Sequence, residues 1–260
     1  PIWLAAIADL VGTAVIFEFS RRLDNSSVYD PYWSVAPVAI AAYWWSAGIG
    51  FSTDVWRPVL VCVLVLVWGV RLTGNWVHRW RGLEDEDWRY VLLRSRHGTR
   101  YWIVSWFGIH LLPTVLVFLG CLPLYAVLAD PQEPLWIADL VPLVITAAAI
   151  WIEARSDLEL VRFRASAPDP SETLETGLWS VSRHPNYFGE ILFWWGLFGF
   201  ALAANPSYWW TCVGAIAITL LFRFISVPMI DERMLERRPG YEERIRSVPA
   251  IIPRVRPRSG

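Results

Sequence analysis

The sequence predicts an all-α integral membrane protein of about seven transmembrane helices. Of its 260 residues, 55% are hydrophobic and only 18% are charged, whereas a soluble domain of this length carries about 25% charged residues. The apolar residues also form blocks of about 20 residues, the length at which a helix crosses a bilayer. Because these blocks are continuously apolar and lack the alternation of barrel strands, the spans are predicted to be helices.

Seven apolar blocks are predicted to form the seven helices. The first block has no basic segment before it and no small-residue cleavage site after it, so it is predicted to be a helix rather than a signal peptide. A short, glycine-containing junction separates the second block from the third. In chain order, the blocks are 2–19, 32–50, 56–76, 102–129, 134–152, 188–204 and 207–228.

The distribution of basic residues predicts the orientation of the helices. All 23 basic residues are Arg, and nearly all of them follow the odd-numbered blocks. The loops after the even-numbered blocks contain only Arg57. Because Arg-rich loops stay in the cytoplasm, the N-terminus is predicted to lie outside and the C-terminus in the cytoplasm.

Charge and cysteine content argue against several function classes. The formal net charge is −1, with Arg and acidic residues interleaved, so no nucleic-acid partner is predicted. Cys62, Cys121 and Cys212 lie inside apolar blocks without CxxC spacing. They are predicted to be packing residues, and neither a disulfide framework nor a metal site is predicted. The sequence leaves the oligomeric state open.

A first polar cluster, NSSVYDPYWS at residues 25–34, precedes the second helix. One interpretation is a capped helix start, because Asn25 is a preferred capping residue and an acid such as Asp30 stabilises the positive end of a helix dipole. The other interpretation makes Asp30 an acid or hydrogen-bond donor that faces a membrane cavity, flanked by Tyr29 and Tyr32.

Two further polar clusters lie at the cytoplasmic ends of the third and fifth helices, the first running on into a loop and the second continuing the fifth helix. In residues 70–94, polar side chains share one helix face by their spacing, namely Arg71, Asn75, His78 and Arg79. In residues 152–165, the same holds for Glu153, Asp157 and Arg164. An Arg can bind a phosphate with its planar guanidinium while nearby carboxylates orient it or accept ribose hydroxyls. For residues 152–165 the alternative is ion pairing within the helix, and for residues 70–94 it is a solvated acidic turn with local ion pairs.

The fourth cluster is SRHPNYFGE, residues 182–190, directly before the sixth apolar block. Its polar or ionisable side chains are Arg183, His184, Asn186, Tyr187 and Glu190. Arg223 lies inside the seventh block, where a charge either faces a polar interior or reaches the interface along its own stem. Asp231 and Arg233 follow it. The four clusters together predict a phosphate-bearing cofactor that enters from the cytoplasm beside a lipid-accessible pocket.

The motif GLWSVSRHPNYFGE, with the E-x3-D-x6-R segment of Glu153, Asp157 and Arg164 and the turn at residues 87–90, resembles a known group. It is similar to a bacterial membrane family grouped with the steroid 5α-reductases. The resemblance implies a multi-helix membrane reductase that binds NADPH from the cytoplasm and reduces an activated carbon–carbon double bond. It also implies that Asp30 corresponds to the catalytic carboxylate of those enzymes.

We therefore expect a multi-pass reductase of the bacterial inner membrane that uses NADPH and meets its lipophilic small-molecule substrate among membrane lipids. Residues 1–260 are predicted as one membrane domain, with the lipid-substrate side at 1–130 and the cofactor side at 131–260. The predicted catalytic residues are Asp30 and Tyr29. The predicted cofactor-binding residues are Asp157, Arg164, Arg183, His184, Asn186, Tyr187, Glu190, Arg223, Asp231 and Arg233.

A second resemblance gives the alternative. The pattern R-H-P-x-Y-x-G followed by an acid-rich helix is also similar to isoprenylcysteine and phospholipid methyltransferases, which bind S-adenosylmethionine through the same scaffold. Asn186, Glu190 and the face of the fifth helix favour the reductase, because a methyltransferase does not bind several phosphates. A non-enzymatic lipid-binding or scaffold protein is the third hypothesis.

Overall fold

The computed structural model describes residues 1–48, 55–166, 169 and 171–254, and the regular structure in these ranges is entirely helical. The main helices are α1 Ile2–Arg22, α2 Tyr32–Gly48, α3 Trp56–Arg79, α4 Trp88–Leu128, α5 Ile137–Ala165, α6 Pro185–Ala204, α7 Pro206–Arg237 and α8 Tyr241–Ser247. Six of them, α1 and α3 to α7, are long and apolar enough to cross a membrane. The chain is therefore a multi-pass membrane protein.

The second predicted block forms a shorter helix than the others. The helix α2 has 17 residues, and the last two residues of the block, 49 and 50, lie outside the described part of the chain, as does the rest of the junction up to residue 54. A continuous span of 17 residues is at the lower limit of what crosses a bilayer.

Short polar side chains and prolines set several helix starts. Asp87 accepts a hydrogen bond from the Arg89 N–H at 2.9 Å and caps α4. Asn205 caps the start of α7 by accepting from the Ser207 N–H at 3.1 Å, and Pro206 occupies the first turn, where its missing N–H costs nothing. Helix-start signals of this kind can be recognised from the sequence alone.

Two long helices contain π-helical turns, Ser105–Leu111 in α4 and Phe222–Ser226 in α7. A π-turn inserts one residue per turn and redirects the side chains on one face, and such turns are frequent at functional sites. The first contains His110 and the second contains Arg223. Each π-turn therefore bears an ionisable side chain within an otherwise apolar stretch.

The chain forms two compact units. The first unit contains Pro1–Asp139 and Leu197–Gly214, and the second contains Leu140–Gly196 and Ala215–Gly260. The helices α5, α6 and α7 thus contribute residues to both. The halves drawn from the sequence at residue 130 do not coincide with these units.

At one end of the first unit, the segment after α1 binds the segment between α3 and α4. The Asn25 side chain donates to the carbonyls of Leu83 and Asp85, at 2.8 and 3.1 Å. The Ser27 hydroxyl accepts from the Asp87 N–H at 2.8 Å. The C-terminal ends of α1 and α3 therefore lie at the same end of the unit.

The opposite end of the first unit is held by a buried ion pair. Arg57, at the start of α3, is only 1% exposed, and its guanidinium binds both carboxylate oxygens of Asp139 at 2.7–2.8 Å. It also donates to the carbonyls of Glu133 and Pro134. The sequence placed Arg57 among loop charges, whereas here it joins the start of α3 to the first turn of α5 and to the segment before it.

Two glycines bring α5 and α6 close together in the second unit. A Cβ atom on Gly189 would lie 2.9 Å from the Ala149 carbonyl oxygen and 3.1 Å from the Glu153 nitrogen. A Cβ atom on Gly196, two turns further along α6, would overlap the Thr146 side chain. Small residues at such positions allow the backbones of membrane helices to approach. The SRHPNYFGE segment is thereby fixed against α5.

Candidate functional site

The SRHPNYFGE segment binds the C-terminal tail, which we define as residues 248–254. The Arg183 and His184 N–H groups donate to the carbonyls of Pro249 and Ala250, at 2.9 and 3.0 Å. The Ser182 hydroxyl donates to the Ile251 carbonyl at 2.8 Å. The tail therefore runs alongside the start of α6 and satisfies the backbone donors that precede this apolar helix.

A buried cluster of four side chains supports this contact, and we call it the Asp231 cluster: Arg183, His184, Asp231 and Tyr241. The Arg183 guanidinium binds Asp231 at 2.7 Å, and the His184 Nε2 atom lies 3.1 Å from the same carboxylate. The Tyr241 hydroxyl donates to it at 2.9 Å. Because buried charges are costly unless paired, these groups stabilise one another.

The remaining donors of Arg183 are also used within the chain. Its Nη1 atom donates to the carbonyls of Val248 and Ile245, at 2.5 and 3.2 Å. The structure thus brings Arg183, His184 and Asp231 together, as the sequence predicted for one site, and directs their polar atoms at each other and at the tail.

Three predicted residues lie at the start of α6 around this cluster. The Tyr187 ring stacks on His184 with centroids 5.4 Å apart and contacts the Phe222 ring at 4.5 Å. Glu190 is buried, and its Oε1 atom accepts from the Trp194 indole at 2.8 Å. Asn186 is half-buried. These side chains make the first turns of α6 polar, whereas the rest of the helix is apolar.

The other predicted cofactor residues differ in exposure. On α5, Asp157 is half-buried and Arg164 is exposed, and on α7 Arg233 is half-buried. Arg223 is exposed, with its guanidinium 5.4 Å from the Phe224 ring centroid. This exposure agrees with the interpretation in which Arg223 reaches the membrane interface along its own stem.

The first unit contains the two predicted catalytic residues. Asp30 is half-buried, and its Oδ1 atom accepts from the Tyr90 hydroxyl at 2.6 Å. Burial raises the pKa of Asp30 to about 6, although the hydrogen bond from Tyr90 and the charges of Arg89 and Arg79 favour the ionised form. The Tyr29 hydroxyl is buried and lies 2.8 Å from the Thr114 hydroxyl.

The capping interpretation of this segment applies to Asn25 rather than to Asp30. The Asn25 side chain accepts from the Ser27 N–H at 2.8 Å and caps the short 3₁₀ turn Ser26–Tyr29. Asp30 follows that turn and directs its carboxyl group at Tyr90. The acid is therefore available for a role other than helix capping.

Sequence reasoning missed Tyr90 and His110. Tyr90 appeared only as part of a turn, and nothing local indicates that its hydroxyl reaches Asp30. His110 is fully buried, with Nδ1 lying 3.0 Å from the Ser105 carbonyl oxygen and Nε2 3.0 Å from the Ser20 hydroxyl. Its ring lies 4.8 Å from that of Tyr29. The only available signal was a single histidine inside an apolar block.

Two open cavities of about 480 and 430 Å³ lie in the second unit beside the start of the tail. Both are lined by Glu175, Gly240 and Arg244, and the larger one is also lined by Ser180 and Val181, just before the SRHPNYFGE segment. Sites for small molecules usually measure 300–1,000 Å³. Arg244 therefore lines both cavities together with the acid Glu175.

A comparison with known protein families assigns the chain to one of them. A family model described as "Protein of unknown function (DUF1295)" matches residues 16–248. The chain belongs to the DUF1295 family. The DUF1295 match includes Asp30, the SRHPNYFGE segment and Asp231, and it ends at the first residue of the tail.

A curated relative is an uncharacterized protein of Schizosaccharomyces pombe (strain 972 / ATCC 24843). It is 26% identical over 281 residues, which covers 98% of this chain and 80% of the relative. No solved structure matches the chain.

Proposed function

We propose that this DUF1295 protein is an NADPH-dependent reductase of the bacterial inner membrane that transfers hydride to an activated carbon–carbon double bond of a lipophilic substrate. The observation that carries the proposal is the Asp30–Tyr90 pair. Addition of hydride to a conjugated alkene places negative charge on the substrate oxygen, and a neutral carboxyl group stabilises that charge by donating a hydrogen bond. With a pKa of about 6, the Asp30 carboxyl group is neutral in a fraction of the molecules near neutral pH.

Tyr29 and Tyr90 assist Asp30 in different ways. Tyr90 donates to one carboxyl oxygen and so orients the group, leaving the other oxygen for the substrate. Tyr29 precedes Asp30 in the sequence, and its hydroxyl is anchored by the Thr114 hydroxyl. Desolvation strengthens the hydrogen bond to a developing oxyanion, and burial is the largest influence on the pKa of Asp30.

The second unit has groups that fit the cofactor. NADPH supplies the hydride when it is bound. We assign Arg164 and Arg233 to its phosphates and Asp157 and Asn186 to its ribose and amide groups. Arg164 is exposed, and the other three side chains are half-buried. Arg183, His184 and Asp231 support the same site by holding the tail against the start of α6.

We also propose that all seven helices α1 to α7 cross the membrane, with the N-terminus outside and the C-terminus in the cytoplasm. The contacts of Asn25 and Ser27 support a shared side for the ends of α1 and α3. If α3 crosses the membrane, α2 must cross it as well to keep these two ends together. The last residue of α2, Gly48, packs against the backbone of Leu128 and Ala129, at the far end of α4.

Methyl transfer from S-adenosylmethionine is the second candidate function. One observation favours it, because Arg183 and His184 use their polar atoms inside the Asp231 cluster and at the tail. Fewer cations then remain to bind the phosphates of a dinucleotide. S-adenosylmethionine has no phosphate and does not need them.

Thermal unfolding of the purified protein in detergent separates the two candidates. We expect NADPH to raise the melting temperature, because a ligand at 100 times its Kd stabilises the folded state by about 2.7 kcal/mol. Arg164→Ala should weaken this effect, whereas Arg162→Ala, an exposed neighbour on the same helix, should not. Stabilisation by S-adenosylmethionine alone would refute the reductase and support the second candidate.

A further inference from the structure

Arg244 is a buried cation whose charge is only partly balanced. Its side chain is 6% exposed, one Nη2 hydrogen bond reaches the Trp179 carbonyl at 2.5 Å, and its Nη1 atom lies 3.5 Å from Glu175. That second distance exceeds the usual length of a charged hydrogen bond. Burial lowers the pKa of Arg244, as expected for a guanidinium removed from water with incomplete compensation.

The partner of Arg244 is easily displaced. The Glu175 side chain is 62% exposed, so it is already hydrated and loses little when it turns into solvent. At 3.5 Å, the contact between the Arg244 Nη1 atom and Glu175 is longer than a usual hydrogen bond, so its loss costs less than that of a close ion pair. A ligand that offers Arg244 a better-placed anion would therefore replace Glu175 at small cost.

The space for such an anion is present beside Arg244. The cavity of about 480 Å³ is lined by Arg244 together with Ser180 and Ser247, and the Ser180 hydroxyl donates to the Gly177 carbonyl at 2.7 Å. Glu243 also lines this cavity but is exposed, so water and salt screen its charge. The buried guanidinium is screened much less.

We infer that Arg244 binds a phosphate monoester in this cavity and that Glu175 is the internal counterion that the phosphate displaces. A monoester carries more charge than a carboxylate and offers the oxygens that a guanidinium binds as a fork. The identity of the ligand rests on the proposed function, because NADPH differs from NADH by a single monoester, the 2′-phosphate. Arg244 then determines the preference for NADPH over NADH.

Two substitutions with opposite expected effects on binding affinity test the site. Binding of 2′-AMP, inorganic phosphate, NADPH and NADH to the full chain in detergent is measured by isothermal titration. Arg244→Gln should weaken 2′-AMP and NADPH binding roughly tenfold or more and leave NADH unchanged, as expected for a lost charged contact of this strength. Glu175→Gln should tighten 2′-AMP and NADPH binding, because the competing carboxylate is gone.

The control is Glu242→Gln, which removes an equally exposed acid that pairs with Arg246 instead, and it should change neither affinity. A structural role for the Arg244–Glu175 pair predicts that both substitutions weaken binding. Unchanged or weaker 2′-AMP binding in Glu175→Gln would overturn the inference, and this result does not depend on whether Arg244→Gln folds.

The outcomes separate this inference from the proposed function. Equal wild-type affinities for NADPH and NADH, with no effect of Arg244→Gln, overturn the inference and leave the reductase intact. Binding of 2′-AMP that depends on Arg244, with no binding of either dinucleotide, supports the phosphate site and refutes the reductase. Inorganic phosphate that binds as tightly as 2′-AMP supports the phosphate site and overturns its assignment to a nucleotide.

Discussion

The Asp30 carboxyl group retains a pKa of about 6 in spite of the Tyr90 hydrogen bond and the nearby charges of Arg89 and Arg79. Desolvation is the largest contribution and outweighs these stabilising partners. A carboxylic acid that stays partly neutral near pH 6 suits a hydrogen-bond donor in catalysis, because the best acid has a pKa near the working pH.

Asp30→Asn tests this role. We expect NADPH binding to be retained, because Asp30 belongs to the first unit and the predicted cofactor residues to the second. Turnover should fall by about 10²-fold or more, as for the loss of a general acid. Turnover of the wild type should decline as the pH rises through about 6. Wild-type turnover in Asp30→Asn would remove Asp30 from the catalytic residues.

The same pKa predicts how stability depends on pH. Because the folded-state pKa lies above the ordinary value of 3.8, the folded state binds more protons between these two values, and stability is lost as the pH rises through about 6. Asp30→Asn should therefore be more stable than the wild type at pH 8, by about 1–2 kcal/mol after allowance for partial exposure. The difference should vanish below pH 4, and Asp85→Asn, an exposed control, should show none.

The sequence grouped Arg183, His184 and Asp231 among the predicted cofactor-binding residues, but it did not predict that these three side chains bind one another. Arg183 also donates to the Val248 and Ile245 carbonyls, which lie more than 60 positions away in the chain, and no local signal specifies these contacts. Likewise, Arg223 was recognisable as an intramembrane charge, but its exposure depends on which face of α7 packs inward.

At the scale of elements, the close approach of α5 and α6 depends on Gly189. Gly189→Ala should destabilise the protein by about 1–3 kcal/mol, the usual cost of overpacking, because its Cβ atom would lie against the fixed backbone of Ala149 and Glu153. Thermal unfolding measures this loss. Gly74→Ala is the matched control, since nothing lies within 4 Å of its added Cβ atom, and better helix propensity should make it neutral or stabilising by up to about 1 kcal/mol. Equal stability of the two variants would contradict the close packing.

The start of α4 shows where hydropathy fails to predict a helix boundary. The apolar block 102–129 marks only the later part of α4, which begins at Trp88. Its first turns are polar and are held by tertiary contacts, since Arg94 binds Asp24 at 2.7 Å and Glu86 at 3.1 Å. Hydropathy does not detect a helix whose stability comes from such pairs, and therefore the sequence placed this segment in a loop.

For the whole molecule, apolar block lengths were sufficient to predict a multi-pass helical protein, because hydrocarbon allows few other structures. The division into two units was not predictable in the same way. It depends on residues 197–214 joining the N-terminal unit, through contacts such as the one between Tyr208 and Asp130 at 2.7 Å. Such contacts between distant segments leave no pattern in the local sequence.

The side of the membrane on which each segment lies is open to a direct test. Single cysteines at the exposed positions Arg22, Glu84 and Glu133 can be labelled in intact bacterial cells with a membrane-impermeant maleimide, in a variant without Cys62, Cys121 and Cys212. We expect Glu133→Cys to react in intact cells, and Arg22→Cys and Glu84→Cys to react only after lysis, because Arg-rich ends stay in the cytoplasm. The comparison of Arg22→Cys with Glu84→Cys decides whether α2 crosses. Seven crossings give these two sites the same accessibility, as their hydrogen-bonded segments require, whereas a chain in which α2 does not cross would expose one of them and protect the other.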